Sequence, residues 1–326
     1  MVWLSQGNYE QGWTEFEWRW RCKGFALRPF TQPAWDGSSL ADKAILLHTE
    51  QGAGDTIQFV RYSPLVKERG ARVILECPAR LIPLLKSCRG IDAWVAQGAL
   101  LPAFDVHLPL LSLPRIFGTT VTTVPTGVPY LAADSQRVER WRRELAPLHA
   151  FKVGIVWQGN PEYLADYRRS PPLALYGLLA RVPGVQLFSL QKGDGIEQFA
   201  DITGEFLVTD LGGRSDVVGG AFVDTAAIMP NLDLVITSDT ATAHLAGALG
   251  VTTWVPLSYA ADWRWLLDRE DCPWYPTMRL FRQAELGNWK PVFERVAREL
   301  DELAASHCAK RIGMARRVAD GTCYSI

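Results

Sequence analysis

Several common signals are missing from this sequence, and each absence closes off a class of function. No apolar run approaches the roughly 20 residues of a membrane-crossing helix, and the opening MVWLSQGNYEQG lacks the basic-then-apolar order of a secretory signal. A soluble, cytoplasmic protein is expected. Neither sign of charge is in excess: 34 Lys and Arg against 35 Asp and Glu leave a formal net charge of −1. Nucleic acid and anionic lipid are therefore not expected partners, and any polyanion site must be local. The six cysteines, at 22, 77, 88, 272, 308 and 323, form no C-x-x-C pair, and the five histidines are equally scattered. With no H-E-x-x-H and no D-x-D either, reduced thiols and chemistry without a metal or cofactor are expected.

What is present is ordinary globular composition, 48% hydrophobic and 21% charged over 326 residues, enough for two domains of common size. In residues 1–23, Gly7, Tyr9, Gly12 and Phe16 match the small and aromatic spacing of the second helix of a tetratricopeptide repeat. Half a repeat cannot bury its own face. It either caps a longer array or packs on the rest of this chain; we expect the end of a repeat-fused protein, with a possible protein contact there.

From residue 24 to 134 short apolar runs alternate with helical periods. AILLH (44–48) reads as a buried strand, 55–69 as a helix and ARVILEC (71–77) as the next strand, with strand-like 91–96 and 104–110 behind them. Residues 135–150 form a connecting helix. A second series occupies 151–305, with strands expected at 151–157, 185–191, 205–211, 232–237 and 251–257 and a last helix from 289 to 305. The fold class is α/β with two Rossmann-like domains, parallel sheets facing across a cleft, behind a short helical remnant. The basic segment 306–326 is expected to be loose.

Ligands of open parallel sheets bind beyond the carboxyl ends of the strands. After AILLH comes TEQGAGDTIQF, where Gly52 and Gly54 are expected to give a sharp turn and Glu50 and Asp55 place two carboxylates at the mouth. The third glycine of G-x-G-x-x-G is replaced by Ile57, which argues against a dinucleotide enzyme. A carboxylate at a helix start repels phosphate and suits a base, with Asp55 the first candidate and Glu50 the reserve; capping of the helix by Asp55 is the plainer alternative. Gln51, Gly52, Gly54 and Gln58 would then lie on the acceptor side.

The stretch LDLVITSDTATAHLAGALG runs a buried strand into a helix of small residues. Free amides at that helix start, with Asp239, Thr240, Ala241, Thr242 and His244, suit a diphosphate. Other strand ends add Trp157 and Asn160, the trio Arg168, Arg169 and Ser170, the run Ser189, Leu190, Gln191, Lys192 and Gly193, and the pair Asp224 and Thr225. Basic residues there can take up the charge of a leaving diphosphate.

In this order the motifs EQGAGD, QFVRY, GIVWQGN, RRS, SLQKG, DTAA, SDTATAHLAGALG and DWRW resemble the family 9, ADP-heptose:lipopolysaccharide heptosyltransferase-like glycosyltransferases, from about Trp35 to Trp289. They are most similar to bacterial members fused behind tetratricopeptide repeats. The resemblance implies a GT-B fold, inverting transfer from a nucleotide-diphosphate sugar without metal, a catalytic aspartate at Asp55, and a D-T-G-x-x-H phosphate motif on Asp239, Thr240, Ala241 and His244. Ala241 departs from that motif's glycine, and Arg168 or Arg169 stands where the heptosyltransferases use lysine. A weaker, architectural resemblance joins the chain to the protein O-GlcNAc transferases. The acceptor would be a glycan or protein hydroxyl. Two other functions stay open, a sugar-nucleotide or carbohydrate binding module without turnover, and a sugar-nucleotide epimerase with paired carboxylates.

Overall fold

The computed structural model describes residues 1–22 and 27–319, with side chains to residue 309. The expected boundary between 23 and 24 lies outside the described residues, as does Cys323; the other five cysteines are free thiols.

Two short helices, α1 (Val2–Ser5) and α2 (Tyr9–Phe16), open the chain. They pack on the body of the protein. Gly12 is tight against Leu4, where a β-carbon would sit 2.5 Å from Leu4 Cδ2, so only glycine lets the two helices touch. The same broad face of α2 buries Tyr9, Trp13 and Phe16 against Trp263 and Trp274, and the Trp13 indole N–H donates to the Thr119 carbonyl at 2.8 Å.

The first sheet holds β1 (Ala44–His48), β2 (Arg72–Cys77), β3 (Ala93–Ala96) and β4 (Val106–Pro109) in the order β3-β2-β1-β4. The second holds β5 (Phe151–Val156), β6 (Val185–Ser189), β7 (Val208–Asp210), β8 (Leu234–Thr237), β9 (Thr253–Leu257) and β10 (Met278–Arg282), ordered β10-β9-β8-β5-β6-β7. All the strand pairings are parallel. The chain is thus α/β with two parallel sheets. The central strands β1, β5, β8 and β9 are apolar almost throughout because both faces of each sheet are covered.

Among the helices, α3 (Ala53–Phe59) comes after β1, α4 (Ser135–Leu145) joins the two sheets, α5 (Val223–Ile228) precedes β8, α6 (Ala241–Ala248) comes after it, and α7 (Lys290–Ala319) ends the described chain. The helix expected over 55–69 is broken after Phe59 and restarts at Ser63–Lys67. Pro64 explains the break, since proline has no N–H to donate and fits only a helix's first turn. Helix α7 runs on to Ala319 instead of stopping at 305, and residues 320–326 of the segment expected to be loose lie outside the described residues. Ala, Lys, Arg and Met in 306–319 favour helix without giving it an apolar stripe, so periodicity does not reveal it. Strand β10 is likewise absent from the expected set: MRLFR sits at a sheet edge and carries two arginines.

One continuous apolar cluster runs from Leu4 through the first sheet to one face of the second, ending at Leu280; a separate cluster lies between the other face and α7. The two halves therefore share a core instead of meeting only at a hinge. Among the described residues no helix is long and apolar enough to cross a membrane.

Candidate functional site

Numbered from β5, the second sheet has the order 3-2-1-4-5-6 of dinucleotide-binding sheets, and the first repeats its opening, 3-2-1-4. Strand order reverses between β5 and β8, and between β1 and β4. The loops beyond β1, β5 and β8 all face a single cleft of about 1370 Å³.

At the β1 end the tight turn is made by Gln51 and not by a glycine. Gln51 has φ of 60°, whereas Gly52 is extended with φ of −86°. A side chain held in the left-handed region is strained by about 1–3 kcal/mol, and such strain gathers at functional sites. Asp216 and Phe222, with φ of 51° and 66°, line the same cleft.

Gly54 serves a different need from the one the sequence suggests. A β-carbon there would lie 2.7 Å from His244 Cδ2 and 3.3 Å from the Ala241 Cα, so this glycine lets α3 lie against α6 across the cleft. We expect Gly54→Ala to lower stability by about 1–3 kcal/mol through this overlap, read as a lower urea midpoint at unchanged m-value.

Asp55 ends the β1 loop. Its Oδ2 accepts the Gly52 N–H at 2.8 Å, which caps α3, and its Oδ1 pairs with Arg264. Burial raises its pKa above the usual carboxylate range, against the pull of Arg264 and the Gly52 amide. Glu50 is placed otherwise: it pairs with Arg19 at 2.8 Å and is absent from the cleft lining. Gln58 is fully buried, its Oε1 taking the Arg264 Nε–H at 2.6 Å, so it does not face an acceptor.

Helix α6 begins at Ala241 with Thr240 as its N-cap, two residues later than the sequence suggests. Asp239, Thr240, Ala241, Thr242 and His244 all line the cleft. The His244 ring stacks on Trp265 with centroids 5.5 Å apart, and its Nδ1 is 2.9 Å from the Tyr275 hydroxyl. Burial, helped by Arg264, drives its pKa well down, so it is neutral at pH 7. Burial also raises Asp239 to about 6, with Asp262 adding repulsion.

The basic side of the cleft is formed by Arg168, Arg169 and Lys192, with Asn160, Leu190, Gln191 and Thr225 beside them. Arg169 is held by Asp166 at 2.9 Å, and Lys192 reaches the Gly212 carbonyl at 3.1 Å. Gln191 is a fixed strut: its Oε1 accepts the Trp157 and Gln158 amides and its Nε2 donates to the Gln158 and Asp194 carbonyls.

Five further residues expected from sequence stand outside the lining. Trp157 points into the core and donates to the Gly195 carbonyl at 3.0 Å. Ser170 bridges the Gly159 amide and Asp166. Ser189 is buried and accepts the Gln191 amide, and Gly193 serves a turn with φ of 69°. Asp224 pairs with Arg137 at 2.7 Å, tying α5 to α4. Each adjoins a cleft residue, but the side chains of Trp157, Ser170, Ser189 and Asp224 are taken up by other partners, a distinction that strand-end position cannot make.

Arg264 and Asp262 are not among the residues expected from sequence, although DWRW is conspicuous. A charged residue between two tryptophans is the signal, since burial on both sides demands a partner. For Arg264 that partner is Asp55, 209 residues away.

No family model matches the chain. Protein FlbA of Caulobacter vibrioides is 28% identical over 337 residues, covering 93% of this chain and 54% of that protein, so the chain spans about half the length of this curated relative. Among solved structures, the ADP-heptose LPS heptosyltransferase II of E. coli superposes with a TM-score of 0.57 at 12% identity, over 81% of this chain and 99% of that one. The family 9 glycosyltransferase of Veillonella parvula gives 0.58 at 11%, over 83% and 99%. The fold is GT-B-like. Asp55 and the start of α6 face each other across the cleft between the two sheets. Among the described residues no group of three His, Cys, Asp or Glu side chains is placed to hold an ion.

Proposed function

We propose that the chain is an inverting glycosyltransferase that moves a sugar from a nucleotide-diphosphate donor to a glycan or protein hydroxyl, without a metal, in the cytoplasm. The observation that carries this reading is the meeting, on one cleft, of a half-buried carboxylate from the first half with a helix start and cations from the second. The diphosphate would lie at the start of α6, against Thr240, Thr242 and the α6 amides, with Arg168, Arg169 and Lys192 taking up its charge. The nucleoside would rest along Leu190 to Lys192 and Thr225. Asp55 removes the acceptor hydroxyl's proton while that oxygen bonds to the anomeric carbon. The bond from that carbon to the diphosphate oxygen breaks, and its electron pair leaves with the diphosphate. The solved neighbours named for ADP-heptose and for family 9 support this reading through their shared fold. Exposed Trp3 and Trp18, on and just beyond the N-terminal helices, are the places for a protein contact.

A binding module without turnover is the second reading, favoured by the engagement of both Asp55 oxygens. A thermal-shift panel of nucleotides and nucleotide sugars tests the site common to both readings. A ligand at a hundred times its Kd stabilises by about 2.7 kcal/mol, and silence across the panel would remove the donor site. Loss of the donor sugar in the presence of acceptor then separates the two.

His244→Ala is expected to weaken nucleotide diphosphate binding. It should also lower stability by about 1–3 kcal/mol, because the Tyr275 hydroxyl loses its buried partner. Calorimetry and a urea midpoint on one preparation read both effects. A loss of stability with unchanged affinity would make His244 a core residue only.

A further inference from the structure

Arg264 ties the two halves together at the end of the cleft where Asp55 lies. Its Nη2 pairs with Asp55 Oδ1, its Nε donates to Gln58 Oε1 at 2.6 Å, and its Nη1 donates to Asp262 Oδ1 at 2.9 Å. A guanidinium has five N–H bonds, so these three leave two without an acceptor among the described residues. Asp262 comes from the same turn as Arg264, and the Trp263 ring lies 4.6 Å below the guanidinium carbon. Asp55 and Gln58 come from the other half of the chain.

This arrangement leaves the cleft with an acid-base conflict. Both oxygens of Asp55 are engaged, one by the Gly52 amide and one by Arg264, so that neither is free to meet an acceptor hydroxyl, although burial favours protonation of the carboxylate. The Gly52 bond alone would aim the side chain without blocking it. The Arg264 pairing is therefore the one to be relieved, and the same guanidinium borders the cleft in which the α6 start, Arg169 and Lys192 suit a diphosphate.

We propose that Arg264 is a positioning residue that exchanges Asp55 for the donor diphosphate. Before the donor binds, Arg264 holds Asp55 Oδ1; the diphosphate then takes the guanidinium, whose planar fork matches two phosphate oxygens, and releases that oxygen for the acceptor hydroxyl. Asp55 keeps its bond to Gly52 throughout and stays aimed. Gln58, fully buried, and Asp262 hold the rest of the guanidinium in place, so the exchange needs no movement of either sheet. The consequence is an order of events, with the base made available only after the donor is seated. This inference rests on the donor site proposed above and adds its coupling to the base.

Inorganic pyrophosphate, ADP and UDP serve as probes, so no acceptor is required. Asp55 and pyrophosphate compete for one guanidinium, so Asp55→Asn should tighten pyrophosphate binding about tenfold by calorimetry, a coupling of ordinary size between two ligands. In an Arg264→Gln background the same change should give about twofold or less, because the shared partner is gone and only general charge relief remains. Thermal melts establish that each variant is folded; should Arg264→Gln not fold, Arg264→Lys supplies the background, keeping the charge but not the fork. An Asp55→Asn protein with unchanged or weaker pyrophosphate binding overturns the exchange and leaves the donor site standing. Equal tightening in both backgrounds also overturns it, assigning the effect to loss of a negative charge. Absence of binding by all three probes, in wild type and in Asp55→Asn alike, removes the donor site and the exchange with it.

Discussion

Replacing Asp55 by Asn is expected to lower turnover by about 10²–10⁴-fold, the usual contribution of a general base, while nucleotide diphosphate binding tightens. Asparagine keeps the size of the side chain and can still accept the Gly52 N–H, so α3 keeps its cap and the loss is chemical. Burial holds the Asp55 pKa above the ordinary carboxylate range. The base works only when ionised, so kcat/KM should fall as pH drops through that raised pKa, an acid limb displaced upward from where a free aspartate would put it. In Asp55→Asn the limb should disappear from the residual rate. Measurement needs the true acceptor, found by incubating candidates with labelled donor. Wild-type turnover in Asp55→Asn would leave this side chain as a helix cap paired with Arg264. Glu50→Gln should have the smaller effect on rate, and its cost should fall on stability through the pair with Arg19.

The architecture was legible because parallel strands covered on both faces are written as nearly continuous apolar runs; AILLH and the run into SDTATAH needed little else. Strand ends in such a fold mark a crevice, and that rule alone brings Asp55, Thr240, Thr242 and His244 near one another. Illegible were facts set by side-chain direction and by distance along the chain. Trp157 and Asp224 adjoin cleft residues but turn inward, because successive residues of an extended segment face opposite ways and successive residues of a helix point about 100° apart. The glycines of the β1 loop look like the makers of its sharp turn, yet Gln51 makes the turn and Gly54 answers to His244 on the other half. Arg264 could not be assigned from its neighbours, since its meaning lies in Asp55 and Gln58, 209 and 206 positions earlier.

Those long-range ties make the N-terminal helices part of the site's support, and Trp13→Ala is the direct test. Trp13 packs edge-on against Trp263 at 5.3 Å and Trp274 at 6.3 Å, touches Tyr9 and Phe16, and donates to the Thr119 carbonyl. Truncating a buried tryptophan costs about 3–5 kcal/mol, and here it also strips the Thr119 carbonyl of its donor. Trp263 is the residue before Arg264 and stacks beneath its guanidinium. Loosening Trp263 should therefore reach Arg264 and the pairing of the two halves at Asp55. Expected results are a urea midpoint lowered by an amount within that range and faster hydrogen exchange in both α3 and the 262–266 turn, although neither touches residue 13 in sequence. If stability fell but exchange quickened only within residues 1–22, the helices would be an ornament on a site that stands without them. Faster exchange on both sides of the cleft would make α1 and α2 a third partner in holding base and cation together.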